Sequence, residues 1–251
     1  MVHQLISQTN PQWHEILTEA MTQLDSHYLS EILTTKDWLP GREHMLAAFN
    51  QPLTNVRYIL LGESPYPRSA SANGHAFWDN AVNELWSETG LSKTVNRATS
   101  LRNFIKMLLL ARGDLTTDFS PSAIAALDKR LYWQTGEQFF SSMIDKGFVL
   151  LNASLIYREK QVNTDARQWR PFLTSVLSQL AQKNPDIGLI LFGRIAAKIS
   201  QTQLLTGLIS EHPYNLSFIT NPNVLKFFKP MDLLCSNEIK NQAKQKPNLK
   251  H

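Results

Sequence analysis

Apolar residues recur every three or four positions over residues 11 to 35, the spacing that lays one face of a helix against a core. The pattern changes from Asn55 to Leu61, where an apolar run ends at Gly62 and reads as a buried strand. Helical spacing returns from Thr99 to Arg112, with Leu101, Phe104, Ile105, Leu108 and Leu109 on one face. Phe148 to Leu151 reads as strand, and Trp169 to Gln182 as an amphipathic helix. Ile187 to Phe192 reads as a strand closed by Gly193, and Arg194 to Gln201 as the helix after it. Strands alternating with helices predict an α/β fold with a central, mainly parallel β-sheet flanked by helices on both faces. No break interrupts residues 1–238, which are expected to form a single domain. Residues 239–251 are polar and basic without apolar periodicity, the composition of a flexible tail.

A chain of 251 residues with 43% hydrophobic content can bury a substantial core. The net charge of +4 favours an acidic partner, but does not by itself distinguish a nucleic-acid-binding protein from other basic proteins. Cys235 is the one cysteine, which excludes an internal disulfide framework and any cysteine cluster for iron–sulfur or structural zinc. No other metal-ligand spacing is evident, so no metal or cofactor is expected. The opening residues, MVHQLISQTNPQWHE, lack a charged region followed by an apolar stretch, and no later run approaches a membrane span. A cytoplasmic protein without membrane association is expected.

Two short runs carry the candidate chemistry. YILLGESPYP, from Tyr58 to Pro67, passes from an apolar strand through a glycine into a polar loop bracketed by prolines. HPYNLS, from His212 to Ser217, sets an imidazole in an equally rigid loop. Open α/β sheets place functional groups at such strand ends. Four further segments lie in order between them: ANGHAFW at 72–78, SLRNFIKML at 100–108, GFVLLNASLIYRE at 147–159 and LILFGRIAAKI at 189–199. Together these runs resemble the uracil-DNA glycosylase superfamily, whose two loops read GQDPYH and HPSPLS. The resemblance extends from about Leu39 to about Phe228, and ordered motifs weigh far more than any one of them.

The resemblance implies a monofunctional DNA glycosylase that flips a base out of DNA and hydrolyses its N-glycosidic bond, leaving an abasic site. Uracil is the default base, and the partner is single- or double-stranded DNA met by a monomer. Phe77 corresponds to the aromatic that stacks on the base. Asn152 corresponds to the amide that reads the uracil edge, donating to one atom while accepting from N3–H, a pattern that cytosine reverses. Tyr66 corresponds to the ring that lies against C5 and excludes a methyl group. His212 matches the histidine that stabilises negative charge on uracil O2, and Leu216 the residue that fills the gap left by the base. Ser100, Arg68 and Ser217 are the implied DNA contacts. Lys93, Arg97, Arg102, Arg158, Arg194, Lys198 and Lys226 are further cations near the expected loops, although such residues are ordinarily solvated surface.

One departure changes the expected mechanism. The family's water-activating aspartate is Ser64 here, and serine carries no charge at neutral pH. A second branch of the superfamily reads GEAPG at this place, sharing the G-E-x-P arrangement of this chain. Glu63, aided by Ser64, is therefore the candidate to orient the attacking water; the plainer alternative is that Glu63 caps the loop or pairs with an arginine. Tyr214 and Asn215 stand where the family has Ser and Pro. Two other functions stay open from sequence: excision of a different deaminated, damaged or modified base, and a catalytically impaired module that binds DNA or a protein.

Overall fold

The computed structural model describes residues 2–195 and 206–235. Its contacts divide into two compact units: Met1–Asn80 with Ile144–Ile209, and Ala81–Met143 with Ser210–His251. Six strands lie among the described residues: β1 (Tyr58–Gly62), β2 (Trp86–Ser87), β3 (Gly90–Leu91), β4 (Phe148–Asn152), β5 (Gly188–Phe192) and β6 (Thr206–Ser210). The fold is α/β, with helices flanking a four-stranded sheet of order β4-β1-β5-β6.

In the first unit, β1 pairs in parallel with both β4 and β5, placing Leu60 beside Leu150 and Ile190. Ile59, Leu61, Val149, Leu151, Leu189 and Leu191 share one core with Trp13, Ile16, Ile32, Trp169, Phe172 and Val176. The alternate residues Leu60, Leu150 and Ile190 are buried as well, so both faces of these strands are covered. That explains why they read as continuous apolar runs rather than as alternating ones. The chain leaves β1 for one neighbour and later returns to the other, so the ends of β1 and β5 form a switch point where open α/β sheets carry their sites.

Several sequence boundaries move. The predicted helix over 11 to 35 is two helices, His14–Thr22 and Ser26–Thr34, because the Asp25 side chain accepts the Tyr28 N–H at 2.8 Å and starts a new helix. The first strand begins at Tyr58, since Leu53–Asn55 forms a 3-10 turn. The helix predicted from Trp169 starts at Val162 and runs through Pro171 to Lys183. Its polar first turns are held by Asp165, which is buried and accepts from Tyr28 Oη at 2.8 Å and from Arg158 Nη2 at 2.6 Å. Apolar periodicity cannot register a turn anchored by a buried ion pair.

In the second unit, the helix Thr99–Arg112 keeps its predicted bounds and ends at Gly113, whose positive φ of 84° suits glycine. Phe104 on this helix is the hub of an aromatic cluster, with ring centroids 6.3 Å from Phe139, 6.2 Å from Phe218 and 5.2 Å from Phe228. Its buried side is wider than the predicted stripe, because Asn103, Met107 and Ala111 are covered too. Most of the helix predicted over Arg194 to Gln201 lies outside the described residues, as do Lys198 and the tail at 239–251. Among the described residues no helix is long and apolar enough to cross a membrane.

Candidate active site

The parallel pairing sets Gly62 opposite Asn152 at the ends of β1 and β4. A β-carbon on Gly62 would stand 2.7 Å from Asn152 Oδ1 and 2.8 Å from the Ala76 β-carbon, so only glycine fits at the exit of β1. Beyond it the loop is tied to the end of β4. Ala153 N–H donates to Gly62 O at 2.9 Å and Ser154 N–H to Glu63 O at 3.0 Å. Glu63 is exposed, Ser64 half-buried and Pro65 buried. Asn152 is only 3% exposed.

Phe77 is held next to this loop in an unusual backbone state. Its φ of 64° is left-handed, a conformation rarely used by bulky residues. Hydrogen bonds on both sides maintain it: Ala76 N–H donates to Leu150 O at 2.9 Å, and Tyr66 Oη donates to Phe77 O at 3.3 Å. The Phe77 ring meets Phe192, the last residue of β5, edge to face at 5.8 Å. Burial, followed by the negative charge of Asp79, pushes the Tyr66 phenol above its ordinary range, so it remains a neutral donor. His75, two residues before Phe77, stacks on Trp78 at 5.3 Å with its Nδ1 buried and unpartnered.

In the second unit the His212 loop is organised by one buried residue of the helix Thr99–Arg112. Asn103 Nδ2 donates to Pro213 O at 2.7 Å and to Tyr214 O at 3.3 Å. Tyr214 N–H donates to His212 Nδ1 at 3.1 Å, and Asn215 N–H to His212 O at 2.9 Å. A nitrogen that accepts a hydrogen bond carries no proton, so the neutral ring holds its hydrogen on Nε2 and can donate from there. Leu216 opens a 3-10 turn and is 68% exposed, while Phe218, two residues on, is fully buried in the Phe104 cluster. Tyr214 is 66% exposed. A rigid loop thus displays two large apolar side chains to solvent.

Of the proposed DNA contacts, Ser100 lies half-buried in the first turn of its helix and Ser217 is exposed. Arg68 is exposed and donates to Asp79 at 3.0 Å. Lys93, Arg97, Arg194 and Lys226 are exposed, and Arg102 donates to Asn96 O at 3.1 Å. Arg158 is a correction: it is 5% exposed and bound to Asp165 and Glu31, so it anchors the helix Val162–Lys183 instead of facing a phosphate. Sequence reasoning also missed Asn103. The available signal was a lone asparagine four residues before Met107 and eight before Ala111, a polar residue on an otherwise apolar row.

The profile of the uracil DNA glycosylase superfamily matches residues 49–248. A uracil-DNA glycosylase of Streptococcus thermophilus is 27% identical over 219 residues, covering 82% of this chain and 84% of that protein. One from Aliivibrio salmonicida is 26% identical over 221 residues, covering 83% and 84%. The crystal structure of wild-type UNG from Nitratifractor salsuginis superposes with a TM-score of 0.88 at 39% identity, over 94% of this chain and 98% of that one. These matches make the protein a DNA glycosylase. The chain belongs to the uracil DNA glycosylase superfamily.

Proposed function

We propose that the protein excises uracil from DNA by hydrolysis, acting as a monofunctional glycosylase that leaves an abasic site. The observation that carries this reading is the Asn152 amide, held at the end of β4 against the side-chain-free Gly62. A primary amide offers an acceptor and a donor side by side, matching the N3–H and carbonyl of a uracil edge. The names of the relatives support the same base.

The chemistry follows from the residues at the loops. Phe77 stacks on the flipped base and Tyr66 closes the space beside C5. The bond between C1′ and the base nitrogen breaks with its electron pair leaving on the base, and the negative charge spreads to O2. His212 donates to that oxygen from Nε2–H, a contribution of roughly 10²- to 10³-fold for donors of this kind. Water adds to C1′ as the Glu63 carboxylate, aided by Ser64, takes up its proton; the departing base is protonated from solvent. Ser100, Ser217 and Arg68 grip the backbone, and Leu216 fills the vacated stack. The carboxylate is supplied one residue earlier than in the GQDPYH loop.

The test is excision by purified protein, in EDTA, from single-stranded and duplex oligonucleotides carrying uracil, hypoxanthine, xanthine or a 5-modified base, with abasic sites revealed by alkali. Uracil release is expected, slowed roughly 10²- to 10³-fold by His212→Ala with DNA affinity retained. Release of another base alone replaces the substrate. If no base is released while the protein binds DNA, the catalytic reading is lost.

A further inference from the structure

We propose that Asn103 is a positioning residue for His212, holding the Pro213–Tyr214 peptide in the orientation that keeps the imidazole proton on Nε2. The inference rests on the role given to His212 above. Asn103 is fully buried on the helix Thr99–Arg112. Its Nδ2 carries two hydrogens, and both carbonyls within reach belong to the loop: Pro213 O at 2.7 Å and Tyr214 O at 3.3 Å. Its Oδ1 accepts from Arg102 Nε at 3.3 Å, which sets which end of the amide faces the loop.

Pro213 O and Tyr214 N–H are the two polar edges of one peptide plane. In a trans peptide they point in opposite directions, so gripping the oxygen on one side aims the N–H on the other. The N–H aimed this way reaches His212 Nδ1 at 3.1 Å. Hydrogen bonding at the carbonyl also polarises the same peptide and strengthens its N–H as a donor. Asn103 therefore never touches the base, yet it selects the tautomer whose Nε2–H can meet the charge developing on the base. A loop freed from this grip can turn the peptide, leave Nδ1 without its donor and allow the proton to occupy either nitrogen.

Long-range ¹H–¹⁵N correlation spectra of the full-length ¹⁵N-labelled protein read the His212 tautomer directly. The wild type is expected to show the Nε2–H pattern, and Asn103→Leu, which keeps the volume but removes both donors, a mixture of tautomers. Excision kinetics should show kcat lowered roughly ten- to a hundredfold with KM changed less than about threefold. In a double-mutant cycle, Asn103→Leu should add little to the loss already caused by His212→Ala, because both act through one imidazole. An unchanged tautomer, or losses that simply multiply, overturns the proposal. Should Asn103→Leu fail to fold, Asn103→Ala, which also lacks the donors, is read by the same spectra. If His212→Ala excises at the wild-type rate, the reading of His212 fails, whereas the spectra still report whether Asn103 sets the tautomer.

Discussion

Gly62 and Asn152 face each other across the β1–β4 pairing so closely that a β-carbon on the glycine would lie 2.7 Å from the asparagine Oδ1. The absence of a side chain at the exit of one strand is what leaves room for the amide at the end of the next. Gly62→Ala must displace Asn152 or Ala76. It should cost about 1–3 kcal/mol of stability by overpacking and lower uracil excision roughly a hundredfold through misplacement of the base-reading amide. Urea unfolding together with single-turnover excision checks both; a variant that loses stability alone would detach Asn152 from the chemistry.

Glu63 follows Gly62 directly, and its carbonyl is tied to Ser154 N–H. If its carboxylate takes the proton of the attacking water, Glu63→Gln should lower kcat by roughly 10²- to 10⁴-fold. Adding Ser64→Asp to that variant should recover part of the loss by returning a carboxylate to the neighbouring position. Full activity in Glu63→Gln would remove the assignment.

His75 gives the first unit a pH dependence. Burial, with a smaller contribution from the charge of His44, lowers its imidazole to about 4 from an ordinary 6.5. Between those values the unfolded chain binds the proton and the folded one does not, so stability falls as pH drops from 6.5 towards 4 and levels off below. The loss reaches on the order of 3 kcal/mol at most. Urea unfolding at pH 7 and pH 5 should show His75→Gln losing less stability than the wild type over that interval. Equal losses would mean that His75 titrates normally in the folded state.

Arg158 is bound to Asp165, which is 1% exposed. Arg158→Ala leaves a buried carboxylate without its partner and should cost about 3–5 kcal/mol. The salt dependence of DNA binding should stay as in the wild type, because no phosphate contact is lost. A shallower salt slope would return Arg158 to the DNA surface.

Leu216, exposed at the tip of a loop whose base is locked by Phe218, has the setting of a wedge. A wedge matters only where a stack must be held open. Leu216→Ala is therefore expected to slow excision from duplex DNA roughly tenfold more than from single strands, since leaving one unstacked step unfilled costs a few kcal/mol at most. Equal slowing on both substrates would assign Leu216 a different task.

The sequence alone determined the elements and the loops. Apolar periodicity marked the strands at the centre of the sheet and the helix Thr99–Arg112, and glycine and proline marked where the strands give way to the GESPYP and HPYNLS loops. Those signals are local, written within a few residues of the feature they create. Tertiary structure decided which polar groups meet. Asn103 reaches a carbonyl 110 residues away, Tyr28 meets Asp165 across 137, and Gly62 opens onto Asn152 only because β1 and β4 pair in that register. A buried polar residue looks the same in sequence whether it anchors a helix, aims a peptide or waits for a base. Its partner is selected by packing, and packing is settled by the chain as a whole.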